Sequence, residues 1–227
     1  MNLEPLSYFF GAWLGDGYSS YTEAKKYIVG VKCSDKEIIT RCYFSLLYNE
    51  DPHKRGRVTE VKPNGGGVLL QYRVNFSGKD FCLWVRNLTG FKEQLPSYIW
   101  TASIEARLAM LAGLLDTDGS ISDEGEGRYR LRFTGTLEFV EQVPELFARV
   151  GIDPGKLSTE YNRDNGWLDR YYFYPSIKDA AKIGFYFRCR RKQYRFKEYM
   201  RSVGIRPYNG PADYISEMET GGDPSKY

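Results

Sequence analysis

The sequence predicts an α+β protein built from two similar halves, and three observations lead to this class. Two apolar helical segments about a hundred residues apart both end in Asp-Gly, at Asp16-Gly17 and at Asp118-Gly119. Each is followed by a polar stretch, a strand candidate and a capped helix in the same order. Each half then continues with two further strand candidates. Three strands per half have candidate segments, and we interpret each half as helix, two strands, helix, two strands and a further helix.

The first half is defined by alternating strand patterns and by one helix start. Ser34-Asp35 is a typical helix N-cap, and the glycine-rich segment 63–67 is typical of a hairpin between two strands. After the first motif helix, the predicted elements are a strand at 26–32, a helix at 34–48 and strands at 57–61 and 68–76.

The second half repeats this order. Thr136 predicts a helix start, Gly151 a helix end, and Asp164-Asn165-Gly166 a turn between strands. The predicted elements are a strand at 128–133, a helix at 136–150, strands at 157–161 and 168–174, and a basic helix at 190–201.

These elements predict the organisation of the chain. The linker is expected at about 93–102, around Pro96. The N-terminal half then spans 1–98, the C-terminal half with its basic helix spans 99–206, and an acidic tail spans 207–227.

Composition excludes several classes of protein. The 227 residues include four scattered cysteines and one histidine, so a disulfide scaffold, a Cys-based zinc site and His-dependent metal or triad chemistry are excluded. No apolar run reaches the length of a membrane span, and the N-terminus lacks the pattern of a signal peptide. We expect an intracellular protein in a reducing compartment.

Charge is unevenly distributed along the chain. The formal net charge is +3, yet residues 207–227 hold four acids and one lysine, and eight basic residues lie between Arg188 and Arg206. A basic body with an acidic tail makes a polyanion a plausible partner.

The two Asp-Gly segments carry small residues at helical spacing. Gly11 and Gly15 share one helix face, and Ala109, Gly113 and Thr117 share another. Small residues let two helices approach backbone to backbone. A carboxylate at a helix C-terminus is unfavourable, and two that meet there repel unless a cation neutralises them. Oxygen ligands without His or Cys favour Mg²⁺. The alternative is that each Asp-Gly only caps a helix, with the Gly in a left-handed conformation.

These segments resemble the two motifs of LAGLIDADG homing endonucleases of the double-motif, intein-associated kind. Residues 111–120 (LAGLLDTDGS) match the motif closely, and residues 11–17 (GAWLGDG) match its W-L-G-D-G form, with Leu14 in place of the earlier acid. The resemblance extends over about 5–187. An intein begins with Cys or Ser and ends with His-Asn, whereas this chain begins with Met1 and ends with Tyr227. We therefore expect a free-standing endonuclease rather than a splicing element.

The resemblance implies a saddle of two αββαββα halves whose motif helices pack at the centre and whose sheets lie on the DNA major groove. It implies that Asp16 and Asp118 bind divalent metal, with the carbonyls of Gly15 and Thr117 nearby. The expected ion is Mg²⁺, for which Mn²⁺ or Ca²⁺ can substitute in binding. The family also has one basic residue per half near the metals, and the candidates here are Lys92 and Arg170.

Strand alternation predicts a DNA-binding face. Arg128, Arg130 and Arg132 share one face of a strand, and we expect no acid on the same face to offset their repulsion. Arg, Gln and Asn are side chains that read base edges. The alternative is a solvated sheet face, and for the basic helix a solvated helix with Tyr194 and Phe196 packed inward. The full set of predicted DNA contacts is Lys26, Lys32, Gln71, Arg73, Asn75, Arg128, Arg130, Arg132, Arg190 and Arg191.

The leading hypothesis is a site-specific, metal-dependent endonuclease that makes a double-strand break in DNA. The alternatives are a non-cutting DNA-binding regulator, an RNA-splicing maturase and a generic α+β binding protein. Retention of both terminal acids argues against the regulator. Because both motif helices lie in one chain, we expect a monomer that recognises an asymmetric target.

Overall fold

The computed structural model of the chain describes residues 3–21, 27–47, 56–61, 70–160 and 170–207. The first half consists of α1 (Leu3–Asp16), β1 (Gly17–Tyr21), β2 (Tyr27–Cys33), α2 (Lys36–Leu47), β3 (Arg57–Val61), β4 (Gln71–Ser77) and α3 (Lys79–Leu88). The second half consists of α4 (Ile104–Thr117), β5 (Gly119–Asp123), β6 (Tyr129–Gly135), α5 (Leu137–Val140), α6 (Val143–Arg149), β7 (Ser158–Glu160), β8 (Arg170–Phe173), α7 (Ile177–Lys182) and α8 (Arg190–Ser202).

The strands form two antiparallel sheets with the same topology. The first sheet has the order β1-β2-β4-β3, and the second has the equivalent order β5-β6-β8-β7. This repetition confirms the predicted α+β class and the pseudo-symmetry of the halves.

Some predicted features lie outside the described residues. They are the turns at 63–67 and 164–166, Lys26 and most of the acidic tail. The division of the chain at about residue 98 stays a prediction.

Helices α1 and α4 pack against each other through their small residues. A Cβ on Gly11 would lie 2.2 Å from the carbonyl oxygen of Met110, and one on Gly113 would lie 2.3 Å from that of Tyr8. Both helices are therefore in backbone contact, as the small-residue spacing predicted. Their remaining faces pack under the two sheets, so apolar side chains are buried almost all the way round each helix.

The glycines after the two motif helices have a different role from the helix caps that the sequence suggested. Neither Gly17 nor Gly119 has a positive φ, so the alternative that each glycine forms a left-handed cap is wrong. Each glycine instead begins a strand directly against its own helix. A Cβ on Gly17 would lie 2.1 Å from the Trp13 carbonyl oxygen, and one on Gly119 would lie 2.5 Å from that of Leu115. Glycine is required here for close approach rather than for backbone conformation.

The single helix predicted over 136–150 is interrupted. α5 ends at Val140 and α6 begins at Val143, with Pro144 in the first turn of α6. Proline has no N–H to donate and its ring clashes with the carbonyl four residues earlier, so one continuous helix cannot form. The apolar residues of both short helices, such as Phe139 and Phe147, are still buried. Among the described residues, none of the helices has the length and apolar character that crossing a bilayer requires.

Candidate active site

The two motif acids lie together where α1 and α4 end. Asp16 is the last residue of α1, and Asp118 caps α4 with its N–H bonded to the Leu114 carbonyl at 2.9 Å. A Cβ on Gly15 would lie 3.1 Å from Oδ2 of Asp118, which sets this carboxylate beside the backbone of α1. The packing of the small residues thus brings the two carboxylates to one place, as the sequence predicted.

The electrostatics of this place favour a bound cation. Burial raises the pKa of the Asp118 carboxyl to about 6, and the negative charge of Asp16 adds to that rise. Burial also raises the pKa of Asp16, although two nearby lysines oppose the change. The two carboxylates are half-buried, and the charge of one disfavours ionisation of the other. A positive charge bound between them would therefore be stabilising.

Lys92 is the first of those lysines. Its Nζ donates to the carbonyl oxygens of Gly15 at 2.6 Å and Gly17 at 2.9 Å, on either side of Asp16. The turn that presents it has positive φ at three consecutive residues: Gly90 (49°), Phe91 (59°) and Lys92 (81°). Backbone strain of this kind costs about 1–3 kcal/mol per non-glycine residue and clusters at functional sites. The tertiary structure therefore brings Lys92 to the predicted site.

Lys192 is the second lysine, and the sequence analysis did not single it out. It belongs to the basic segment between Arg188 and Arg206, yet its side chain is buried. Nζ donates to the carbonyls of Leu115 at 2.7 Å, Asp116 at 2.6 Å and Thr117 at 3.3 Å. Burial lowers its pKa, and the negative charge of Asp116 opposes that change. One signal was present: Lys192 lies on the same helix face as buried Phe196 and Tyr199.

Arg170, which the resemblance suggested as the second basic residue near the metals, lies on a strand of the second sheet. It begins β8 in register with Glu160 of β7, on the outer face of the second sheet. The strand β5 that follows Asp118 lies two strands away, and its first residue, Gly119, is level with Phe173 rather than with Arg170. Lys192 of α8 is the basic residue whose contacts place it at the end of α4, and the role of Arg170 near the metals stays a prediction.

The predicted metal ligands form an all-oxygen donor set. Besides the two carboxylates, the predicted ligands are the carbonyls of Gly15 and Thr117, each of which accepts a hydrogen bond from one of the two lysine ammonium groups. A carbonyl oxygen has two lone pairs, so each can accept a second contact. Hard oxygen donors with two carboxylates suit a divalent ion such as Mg²⁺, and the donor set fits the implied metal.

A third acid, Asp116, is buried beside this site. Its Oδ2 accepts hydrogen bonds from the Tyr8 hydroxyl at 3.0 Å and the Arg188 backbone N–H at 3.1 Å, while Oδ1 is buried without a partner. Burial raises its pKa to about 6. Leu14 occupies the equivalent place in the first half. Asp116 thus ties the segment that leads into α8 to α1 rather than joining the carboxylate pair.

Within the described ranges, one group of three potential ligands is set closely enough for a metal: Asp35, Glu37 and Cys189. This group is explained by the docking of α8 onto α2. Arg191 contacts Oδ2 of Asp35 at 3.2 Å, and the backbone N–H of Arg190 donates to Oε1 of Glu37 at 3.0 Å. Arg190 and Arg191 therefore join the two halves. Their predicted contacts with DNA stay predictions.

The outer face of the first sheet carries the predicted polar row. Gln71, Arg73 and Asn75 share this face, and Lys32 is the cross-strand neighbour of Arg73. Arg73 donates from Nε to Oγ1 of Thr59 at 2.9 Å, and the Tyr18 hydroxyl donates to Asn75.

The outer face of the second sheet differs from its prediction in one respect. Arg130 and Arg132 share the face as expected, and Arg128 lies just before β6. Each arginine has a carboxylate partner, so the expectation that no acid offsets their repulsion is wrong. The acids come from a turn and from another strand, which the alternation of one strand could not reveal. The ion pairs are Arg128–Glu126 (3.0 Å), Arg130–Glu124 (3.1 Å) and Arg132–Glu160 (3.2 Å).

Comparisons with known proteins agree with this architecture. Residues 105–199 match the family model described as the LAGLIDADG-like domain. The homothallic switching endonuclease of Saccharomyces cerevisiae is 23% identical over 147 residues, which is 55% of this chain and 23% of that protein. The chain thus spans about a quarter of the length of the curated relative it matches.

Solved structures have the same fold. One is I-DmoI in complex with DNA and Mn, with a TM-score of 0.55 and 17% identity, covering 80% of this chain and 95% of that one. Another is I-WcaI bound to its DNA recognition sequence, with a TM-score of 0.53 and 15% identity, covering 86% of each chain.

Proposed function

We propose that this chain is a double-motif LAGLIDADG protein and a site-specific endonuclease that makes a metal-dependent double-strand break in DNA at a long asymmetric target. One observation carries the proposal. Asp16 and Asp118 meet at the ends of two packed helices, and two lysines lie beside them, the half-buried Lys92 and the buried Lys192. A structural role alone does not explain these two carboxylates. Each lies at the negative end of a helix dipole, and the two repel each other, so both interactions destabilise the fold.

The carboxylates would hold divalent metal at the ends of α1 and α4, with Mg²⁺ as the proposed ion. When bound, the metal supplies a lowered pKa for an attacking water and charge neutralisation at the leaving 3′ oxygen. Asp16 and Asp118 orient this assembly from fixed helix ends. The carbonyls of Gly15 and Thr117 complete the oxygen donor set.

Lys92 and Lys192 supply fixed positive charge beside the acids. Each ammonium group is held by at least two backbone carbonyls at 2.6–2.9 Å, so its position is set before DNA binds. A preorganised charge that requires no reorganisation is the most effective way to stabilise negative charge that builds on a phosphate. We assign the auxiliary basic role to Lys92 in the first half and to Lys192 in the second.

The sheets would provide DNA recognition through their outer faces. Their sequences differ: the first carries Gln71, Arg73 and Asn75, and the second carries Arg130 and Arg132. Two different faces recognise an asymmetric sequence. Since α1 and α4 pack within one chain, the helix pair requires no second copy, and a monomer is proposed. The alternatives are a non-cutting regulator and an RNA-splicing maturase, and the experiment must distinguish both from an endonuclease.

The test is cleavage of a plasmid library with random inserts by the purified protein. With Mg²⁺ we expect linear product whose new ends share one asymmetric sequence, and with EDTA we expect none. The Asp16→Asn/Asp118→Asn double variant serves as the matched control for contaminating nuclease. Enrichment of bound plasmids without any cleavage would favour the regulator. Enrichment of structured RNA over duplex DNA would favour the maturase.

A further inference from the structure

The outer faces of the two sheets differ in how their cations are neutralised. On the first sheet, Lys32 and Arg73 are cross-strand neighbours, and Arg57 lies on the same face of β3. Among the described residues, no carboxylate forms an ion pair with any of the three. On the second sheet, all three arginines at β6 have such a partner. As far as the described ranges show, the first face therefore presents three cations without carboxylate partners, whereas the three arginines at β6 on the second face are each paired.

Two of the paired arginines are fixed on both sides. The guanidinium of Arg132 lies over the ring of Tyr172 at 4.1 Å and reaches Oε2 of Glu160 at 3.2 Å. That of Arg130 lies over Tyr174 at 4.8 Å and contacts Glu124 at 3.1 Å. Each planar group is thus held between an aromatic ring and a carboxylate, which restricts the side chain before any ligand arrives.

The third pair lacks this arrangement. Arg128 and Glu126 are two residues apart at a turn, and their side chains are 69% and 83% exposed. No ring contact is recorded beneath Arg128 within the described residues. Such exposed pairs contribute little, so this pair serves as an internal comparison.

A carboxylate beside an arginine affects phosphates and bases differently. A phosphate that approaches Arg130 or Arg132 is repelled by the glutamate and competes with it for the same donors. A guanine edge is neutral and uses two N–H groups, and a guanidinium has five. The glutamate can also accept a hydrogen bond from cytosine N4. The ion pair thus disfavours contact with a phosphate, which is independent of sequence, and still allows contact with a base edge, which depends on sequence.

We propose that Glu124 and Glu160 are specificity-determining residues. They prevent Arg130 and Arg132 from binding phosphates and leave both arginines available to bind base edges. This inference rests on the proposed function, since it needs duplex DNA on the outer face of the second sheet. The two sheets then have different roles. The three cations of the first sheet bind the phosphates of the duplex, and the paired arginines of the second sheet recognise its sequence.

The experiment measures binding to a pool of random-sequence duplexes, in EDTA to prevent cleavage, at several salt concentrations. Glu124→Gln and Glu160→Gln keep the shape of the side chain and remove its charge. Each should tighten binding to the pool by about two- to fivefold at low salt. Each should also steepen the salt dependence, because a freed arginine can neutralise a phosphate.

Two controls separate this effect from net charge and from exposed pairs. Glu145→Gln removes the partner of Arg149, an ion pair of 2.6 Å on α6, with the same change in net charge. Glu126→Gln removes the partner of Arg128. Both should change affinity for the pool less than the two test variants do. Selection from the pool should also yield weaker base preference for the Glu124→Gln/Glu160→Gln double variant than for the wild type.

The outcomes are distinguishable. If the wild type binds the pool and the two test variants bind no tighter than Glu145→Gln, the inference is wrong while the proposed function stands. If the wild type binds no duplex under any condition, the proposed function fails and this inference fails with it. Tighter binding with unchanged base preference would also overturn the assignment of specificity.

Discussion

Lys92 and Lys192 hold equivalent positions in the two halves of the molecule. Each donates from Nζ to the backbone carbonyls at the C-terminal end of a motif helix, Lys92 on α1 and Lys192 on α4. They reach these positions from different elements, a strained turn for Lys92 and the first turn of α8 for Lys192. The pseudo-symmetry of the site thus includes its cations as well as its two acids.

We predict that Lys92→Met and Lys192→Met each reduce cleavage at saturating DNA by about 10²–10³-fold, the usual cost of removing one preorganised charge-stabilising group. DNA binding should change little, since both ammonium groups lie on backbone carbonyls rather than on the outer sheet faces. Single-turnover cleavage and equilibrium binding measure the two effects separately.

Arg170→Ala is the matched control for this pair of variants. It removes a cation that lies on the sheet face rather than at the helix ends, so saturating DNA should restore its wild-type cleavage rate. Lys192→Met also leaves buried carbonyls without a donor, and urea unfolding should show a loss of about 1–3 kcal/mol. A cleavage defect in Arg170→Ala that persists at saturation, with normal cleavage by Lys192→Met, would reverse our assignment.

The sequence predicted the helix pair and its acids but not the second lysine, for a physical reason. The acids and the glycines lie within one motif, where spacing along a helix determines which residues share a face. Lys192 reaches the site only because α8 docks across both halves, and that docking depends on tertiary contacts such as Arg191 with Asp35. The partner of Arg132 was missed for the same reason, since Glu160 lies on a different strand.

We predict that Gly11→Ala destabilises the protein by about 3 kcal/mol or more. The added Cβ would lie 2.2 Å from a backbone carbonyl oxygen of α4, and backbone atoms cannot move aside without separating the helices. Gly125→Ala is the control: its φ of 83° disfavours a side chain, but no atom lies within 4 Å of the added Cβ. That variant should lose only about 1 kcal/mol. Equal losses in urea unfolding would contradict the close packing of α1 on α4.

We predict that the metal-free protein becomes more stable as pH falls from about 7 to about 5. The pKa of Asp118 rises from 3.8 to about 6 in the folded state, mainly through burial. Between these values the folded protein binds more protons than the unfolded chain, so stability increases as pH decreases. The pKa of Asp116 is raised to about 6 as well and acts in the same direction.

Asp118→Asn tests this dependence. The variant should be more stable than the wild type at pH 7 in EDTA, by roughly 1–3 kcal/mol, and should show a smaller gain at low pH. Mg²⁺ should raise the thermal midpoint of the wild type, because an ion that binds only the folded state stabilises it, and should raise that of the variant less. A variant less stable than the wild type at pH 7 would mean that Asp118 stabilises the fold rather than the site.

We predict last that Asp16→Asn and Asp118→Asn abolish double-strand cleavage while DNA binding persists. Removing a negative charge cannot weaken attraction to phosphate, whereas losing a carboxylate–metal contact removes several kcal/mol of transition-state stabilisation, about 10²-fold or more in rate. Asp80→Asn, at an exposed position in the first turn of α3, makes the same chemical change away from the site. The assay is cleavage of a plasmid that carries an identified target, with nicked and linear products scored over time. The control should linearise the plasmid at the wild-type rate. If the Asp16→Asn/Asp118→Asn variant did so too, these two residues would not form the metal site and the proposed chemistry would be wrong.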